Sequence, residues 1–253
     1  MEFRTKEASL IAILGFLLLG TPLVAQEDLV FEVRHDHSIR SCTGTLRFTD
    51  QAVIFQQVKN GKQEKDLHRW EWTYEDIEQV WISPDKLVVL TYEDQKWLLG
   101  KDKQYEFTVR NAEHFGSAYG ALKGRLDQRF VAAVAEENVK AVWQVPVKQL
   151  GRIRGSEGML IIGEDRIVYK TDAQGKSRSW RYSDIENIST SGPFQLTVTT
   201  FERAKFHYGD LKGFNFQLKQ RLNEDSYNDL WRRINVSKGL RFLDQLERAR
   251  ATL

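Results

Sequence analysis

Two histidines flanking an aspartate, His35, Asp36 and His37, are the closest approach in this sequence to a metal site. On a strand, His35 and His37 would project from one face, but a zinc site is completed by three or four ligands whose rings are held by further groups. No further partner stands near them, so the plainer reading is a polar strand end. His68, His114 and His207 stand alone, and none accompanies a Ser or Cys in a nucleophile motif. Asp76 with Glu78, and Asp184 with Glu186, have the look of paired carboxylates for general acid–base work. Both pairs occur at matching places in a repeat, which favours a structural duty: Asp76 and Asp184 accepting backbone hydrogen bonds at a turn. The run Gly151 to Gly158, GRIRGSEG, lacks the Lys-Ser/Thr ending of a phosphate loop and leads into a strand. Trp70, Trp72, Trp81 and Trp97 crowd the first half of the chain. Trp70 and Trp72 alternate along a strand and so share a face, where two rings could form a platform for sugar or peptide. These residues form no catalytic constellation, and the expectation is a protein that is not an enzyme and uses no cofactor or metal.

The elements that must position these residues occur twice. Gly44 to Phe55, GTLRFTDQAVIF, aligns with Gly158 to Tyr169, GMLIIGEDRIVY. WTYEDIE from Trp72 matches WRYSDIE from Trp180, and Leu87 to Glu93, LVVLTYE, matches Leu196 to Glu202, LTVTTFE. The first copy is six residues longer between Phe55 and Trp72 than the second between Tyr169 and Trp180, around the hairpins VKNGKQEKDLHR and TDAQGKSR, and exposed hairpins tolerate such changes. Tyr105, Phe107 and Val109 pair with Phe214, Phe216 and Leu218, alternating as on a half-buried strand. The period then lengthens: Phe115, Ala118, Tyr119 and Leu122 match Tyr227, Leu230, Trp231 and Ile234, spaced as on one face of a helix. Each copy is several antiparallel strands closed by one amphipathic helix. Trp72 has the partner Trp180 and reads as core, whereas Trp70 aligns with Arg178 and is the copy-specific aromatic.

Gly44, Leu46, Asp50, Trp72, Tyr74, Asp76 and Ile77, and again Gly158, Leu160, Glu164, Trp180, Tyr182, Asp184 and Ile185, form a pattern that resembles the PH-like superfold, more closely its GRAM and bacterial branches. The resemblance implies an α+β, mainly β fold: two tandem units, each a strongly bent antiparallel sheet or partly open barrel closed by a C-terminal helix. The expected layout is a signal peptide at 1–25, PH-like units at 29–126 and 143–236, a helical connector at 127–142 and a C-terminal helix at 237–253. PH domains that bind phosphoinositides carry cations around the first hairpin. The matching stretch of the first unit, RHDHSIRSC, holds Arg34 and Arg40 with Asp36 between them. The second unit is nearer that pattern, with Lys148, Arg152 and Arg154, joined by the hairpin residues Lys170, Lys176 and Arg178.

The composition, 41% hydrophobic and 28% charged with 7 Trp, 14 Phe and 8 Tyr, is that of a globular chain with an aromatic-rich interior. A net charge of +2 with alternating signs leaves no basic footprint for nucleic acid. Arg4 and Lys6 precede an apolar run from Leu10 to Leu19, broken at Thr21 and Pro22, with Ala25 at the expected cut before Gln26. This reads as a secretory signal peptide, with an uncleaved anchor as the alternative, and places the protein outside the cytoplasm, periplasmic or secreted. Cys42 is the one cysteine, so no internal disulfide can form. Three functions compete. The leading one is a non-enzymatic binding or scaffolding protein of the cell envelope that docks a protein, peptide or lipid surface through its two units, with at most peripheral membrane contact. Anionic lipid bound by the basic hairpin of the second unit is the alternative. A metal-dependent enzyme using the His35–His37 region is the least favoured.

Overall fold

The computed structural model describes residues 28–36, 41–58, 68–95, 101–110, 115–136, 138–151, 153–204 and 209–238. The expected signal peptide, Arg40, Trp97, His37, Arg152 and the stretch beyond Lys238 lie outside the described residues. In the first half, strands β1 (Leu29–Asp36), β2 (Ser41–Phe48), β3 (Ala52–Gln57), β4 (Arg69–Thr73), β5 (Ile77–Ile82), β6 (Lys86–Asp94) and β7 (Asp102–Val109) are followed by helix α1 (Phe115–Leu126) and a short strand β8 (Phe130–Ala132). The second half has β9 (Trp143–Gln149), β10 (Ser156–Ile162), β11 (Arg166–Lys170), β12 (Arg178–Arg181), β13 (Ile185–Ser189), β14 (Gln195–Arg203), β15 (Leu211–Leu218) and helix α2 (Glu224–Ser237). The fold is mainly β, as the alternation of apolar residues predicts.

Strand order shows the repeat in space. The first sheet runs β4-β3-β2-β1-β7-β6-β5-β8 and the second β12-β11-β10-β9-β15-β14-β13. With β8 set aside, the two orders are the same, and every pairing but that of β8 is antiparallel. The shared residues have shared duties. A Cβ on Gly44 would lie 2.3 Å from Gln56 O, and one on Gly158 would lie 2.2 Å from Lys170 O. Only glycine lets the neighbouring strand approach that closely. The Tyr74 hydroxyl donates to Thr49 O, and the Tyr182 hydroxyl to Gly163 O, both at 2.6 Å, pinning the turn after β4 or β12 to the turn after β2 or β10. Trp72 and Trp180 are buried against Tyr105 and Phe214, at ring separations of 4.6 and 4.7 Å.

Each half has its own core. Leu46, Phe48, Phe55, Ile77, Leu87 and Phe107 fill the first with Leu122 and Leu126 of α1. Leu160, Ile162, Tyr169, Ile185, Val198 and Phe216 fill the second with Leu230 and Ile234 of α2. The Asn223 side chain caps α2 by accepting from Ser226 N at 2.7 Å.

Residues 127–142, expected as a helical connector, take another course. Asp127 adopts a left-handed φ of 52°, which ends α1. One 3-10 turn follows over Asp127–Arg129, then β8 adds to β5 in parallel register, Val80 opposite Phe130 and Ile82 opposite Ala132. The first sheet thus reaches beyond the expected boundary at 126. Among the described residues no helix is long and apolar enough to cross a membrane.

Candidate functional site

In the first half the sheet curls until β4 faces the ends of β6 and β7. Between them lies a groove of about 680 Å3 lined by Arg69, Trp70, Glu71, Trp72, Glu75, Asp76, Thr91, Tyr92, Glu93, Lys103 and Tyr105. Its floor is aromatic. Trp70 stacks on Phe55 at 5.0 Å and lies 5.2 Å from Tyr105, while Trp72 closes against Tyr105. The rim is charged: four carboxylates stand against two cations, Arg69 and Lys103. Arg69 pairs with Glu71 at 2.7 Å and Lys103 with Glu93 at 3.0 Å, leaving Glu75 and Asp76 to set the sign. Contact with Tyr105, then Glu93, raises the pKa of Lys103 and keeps it a cation. The Asp76 carboxylate accepts from Thr73 N at 2.9 Å and Thr73 Oγ1 at 2.7 Å, the expected turn duty. Tyr92 is 60% exposed, an apolar face at the rim open to a partner.

The same place in the second half is full. Gln128, Phe130, Val131 and Ala132 lie against Arg178, Trp180, Asp184, Thr200, Phe201 and Glu202, with about 10 Å3 left between them. In the repeat these six second-half residues correspond to Trp70, Trp72, Asp76, Thr91, Tyr92 and Glu93, all of which line the open groove. The chain's own segment therefore occupies in one half the groove that is open in the other. Around this plug, Tyr119 donates to Asp184 at 2.7 Å, Lys123 pairs with Asp184 at 2.8 Å, and the Arg181 guanidinium sits 3.9 Å over the Tyr119 ring. Burial, and then the Asp184 charge, push the Tyr119 pKa up, so its hydroxyl keeps its proton and donates. Gln79 donates to Phe201 O at 3.0 Å and accepts from Arg203 N at 3.2 Å; Arg203 pairs with Asp102 at 2.7 Å and with Glu78. Further along, Ser179 N donates to Val134 O at 3.0 Å, and the Ser179 hydroxyl accepts from Glu136 N at 2.7 Å.

The residues singled out from the sequence fall in three places. Trp70 lines the open groove but is half-buried, packed against the core rather than standing free. Arg178, expected with the surface cations, is buried: it pairs with Glu202 at 2.6 Å and lies over the Phe214 ring at 5.0 Å. The inward face of β12 forces this, because the side chain that replaces Trp70 must point where the tryptophan points. Lys148, Arg154, Lys170 and Lys176 are exposed and gather at one end of the second sheet, where β9 meets β10 and β11 meets β12. His35 is a packed ring: its Nδ1 lies 2.8 Å from Glu106 O and it meets Trp70 edge-on at 4.9 Å. Among the described residues no group of three His, Cys, Asp or Glu is placed to hold a metal ion. Asp184, expected to serve its own turn, instead takes Tyr119 and Lys123 from the other half. Sequence reasoning missed Tyr92, Lys103 and Tyr105 as groove residues. The signal available was that Tyr92 and Phe201 stand between matched Thr and Glu in LTYE and TTFE.

No protein-family model matches the chain. No curated protein matches it either. Among solved structures it is similar to the Spt16D Pob3N heterodimer at 12% identity and a TM-score of 0.33, over 70% of this chain and 84% of that one. It is also similar to the C-terminal domain of an unknown protein from Leishmania infantum at 15% identity and a TM-score of 0.29, over 49% of this chain and 98% of that one. Two curled sheets, antiparallel but for β8, and a helix following the main strands of each half make the chain mainly β.

Proposed function

We propose that this protein is a non-enzymatic binding protein of the cell envelope, built of two tandem PH-like units of the GRAM type. Its first unit holds an extended segment of a protein partner in the groove between β4 and the ends of β6 and β7. One observation carries the reading: the corresponding groove of the second unit is filled by residues 128–132 of the chain itself. That plug brings Phe130 and Val131 to bury and a backbone able to bond, which describes the chemistry of the occupant. An aromatic floor under a net acidic rim suits a segment with an aromatic or aliphatic anchor beside a basic residue. The signal-peptide reading of residues 1–25 supports an extracytoplasmic partner.

The test is capture from native envelope by the wild type and two groove variants, Trp70→Ala and Tyr92→Ala. Tyr92 contributes little to the core, so its variant keeps the fold. Expected is a protein retained by the wild type and lost by both variants. Capture indifferent to both, or recovery of lipid alone, refutes the reading.

A further inference from the structure

We propose that the groove of the first half receives the C-terminal segment Leu240–Leu243 of a second copy of this chain, so that molecules join head to tail. The inference rests on the groove reading above and names its partner.

The junction between the two halves is heterologous. The first half gives β5, α1 and the segment 128–136; the second gives its groove, Arg181, Asp184 and Arg203. These are different surfaces of like units. A junction of that kind, repeated, does not return to its starting unit as a twofold would, but adds another unit beyond. The unit that follows this molecule's second half is therefore the first half of another molecule, and that half has its groove open.

The second half carries what such a junction needs. Trp231 on α2 stands where Tyr119 stands on α1, and it is 42% exposed. Tyr119 in its place covers the second half through Asp184 and Arg181. Continuing the same register past the helices, Arg129, Phe130 and Val131 fall on Arg241, Phe242 and Leu243. Asp127, the left-handed residue that turns the chain out of α1, falls on Gly239, the residue type that takes such a conformation without steric cost. Arg241 brings a positive charge to a groove whose lining has two more carboxylates than cations. Three contacts are not repeated: the partners Glu78 and Arg203 become Glu186 and Asp94, two carboxylates, the pair Lys123 and Asp184 becomes Asn235 and Asp76, and Arg181 over Tyr119 becomes Thr73 beside Trp231. The junction between molecules is accordingly weaker than the one within the chain, and self-association depends on concentration.

Sedimentation velocity from about 1 to 100 µM, the range over which modest interfaces dissociate, reads the outcome. The wild type is expected to shift from monomer to larger species, while Phe242→Glu and Tyr92→Ala each remain monomeric with wild-type circular dichroism. Mixed in equal amounts, the two variants are expected to form a dimer that grows no further, because one supplies the segment and the other the groove. A wild type monomeric throughout, which includes a tail folded back on its own molecule, overturns the proposal. So does a Phe242→Glu variant that assembles like the wild type, or a mixture that stays monomeric. If self-association fails while Tyr92→Ala still abolishes capture of another protein, only the identity of the partner is lost and the groove reading stands.

Discussion

Replacing Arg178 by methionine should destabilise the second half by about 3 kcal/mol, near the low end of the ~3–5 kcal/mol cost of breaking a buried ion pair from one side. Arg178 Nη2 lies 2.6 Å from Glu202 Oε2, with the side chains only 10% and 7% exposed. At an effective dielectric of about 20 the gross attraction is roughly 6 kcal/mol, and the desolvation of two ions offsets most of it. The pair itself therefore contributes little, yet losing Arg178 alone strands a buried carboxylate. Lys212 bonds the other Glu202 oxygen and keeps it partly compensated, which sets the estimate near the lower end. The double variant Arg178→Met with Glu202→Leu should return to within about 1 kcal/mol of the wild type, since a packed apolar pair replaces a costly ionic one. Lys212 is 30% exposed and can turn to water in that background. Urea denaturation supplies the stabilities, and amide exchange along β12 and β14 localises the loss. A cost below about 1 kcal/mol for Arg178→Met would show that water reaches Glu202 and that the second groove is not sealed by residues 128–132.

Two further outcomes follow from contacts already described. Gly44→Ala and Gly158→Ala should each cost about 1–3 kcal/mol and by similar amounts, because a Cβ meets a backbone oxygen at 2.3 and 2.2 Å respectively; thermal melts showing one tolerated and the other not would break the equivalence of the two β2–β3 and β10–β11 contacts. Burial, opposed by Arg203 and joined by Asp102, raises the Glu78 pKa above its ordinary 4.5. The folded protein then holds this proton more readily than the unfolded chain, so stability falls as pH rises from 4.5 through the raised value. Glu78→Gln should flatten that slope in melting temperature against pH, and an unchanged slope would assign it to another group.

The repeat, the strands with alternating burial and the helix that closes each half were legible because each is a local periodicity, visible in residues two, three or four apart. Trp72 and Trp180 were legible as core because both copies keep them. The path after α1 was not. Phe130, Val131, Val134 and Ala135 are spaced as a helix face would be, and nothing nearby announces that Asp127 takes φ 52°. What decides the matter is the unpaired edge of β5, some fifty residues earlier, together with the groove of a half not yet reached in the sequence. The burial of Arg178 is of the same kind, since its partner Glu202 stands on a strand that meets it only through the curl of the sheet. The candidate site was half legible: Trp70 came from the difference between copies, but Tyr92, Lys103 and Tyr105 became groove residues only when β6 and β7 were brought to face β4.

The parallel strand β8 also orders events in time. A chain emerging from its N-terminus presents residues 128–132 after the first half and before any strand of the second. Once β8 has zipped onto β5, Phe130 is held, and β12 and β14 are expected to condense around a surface that already exists. The second groove is then never left gaping to catch a stranger during synthesis. Among the described residues, no segment of the chain lies in the groove of the first half as residues 128–132 lie in that of the second.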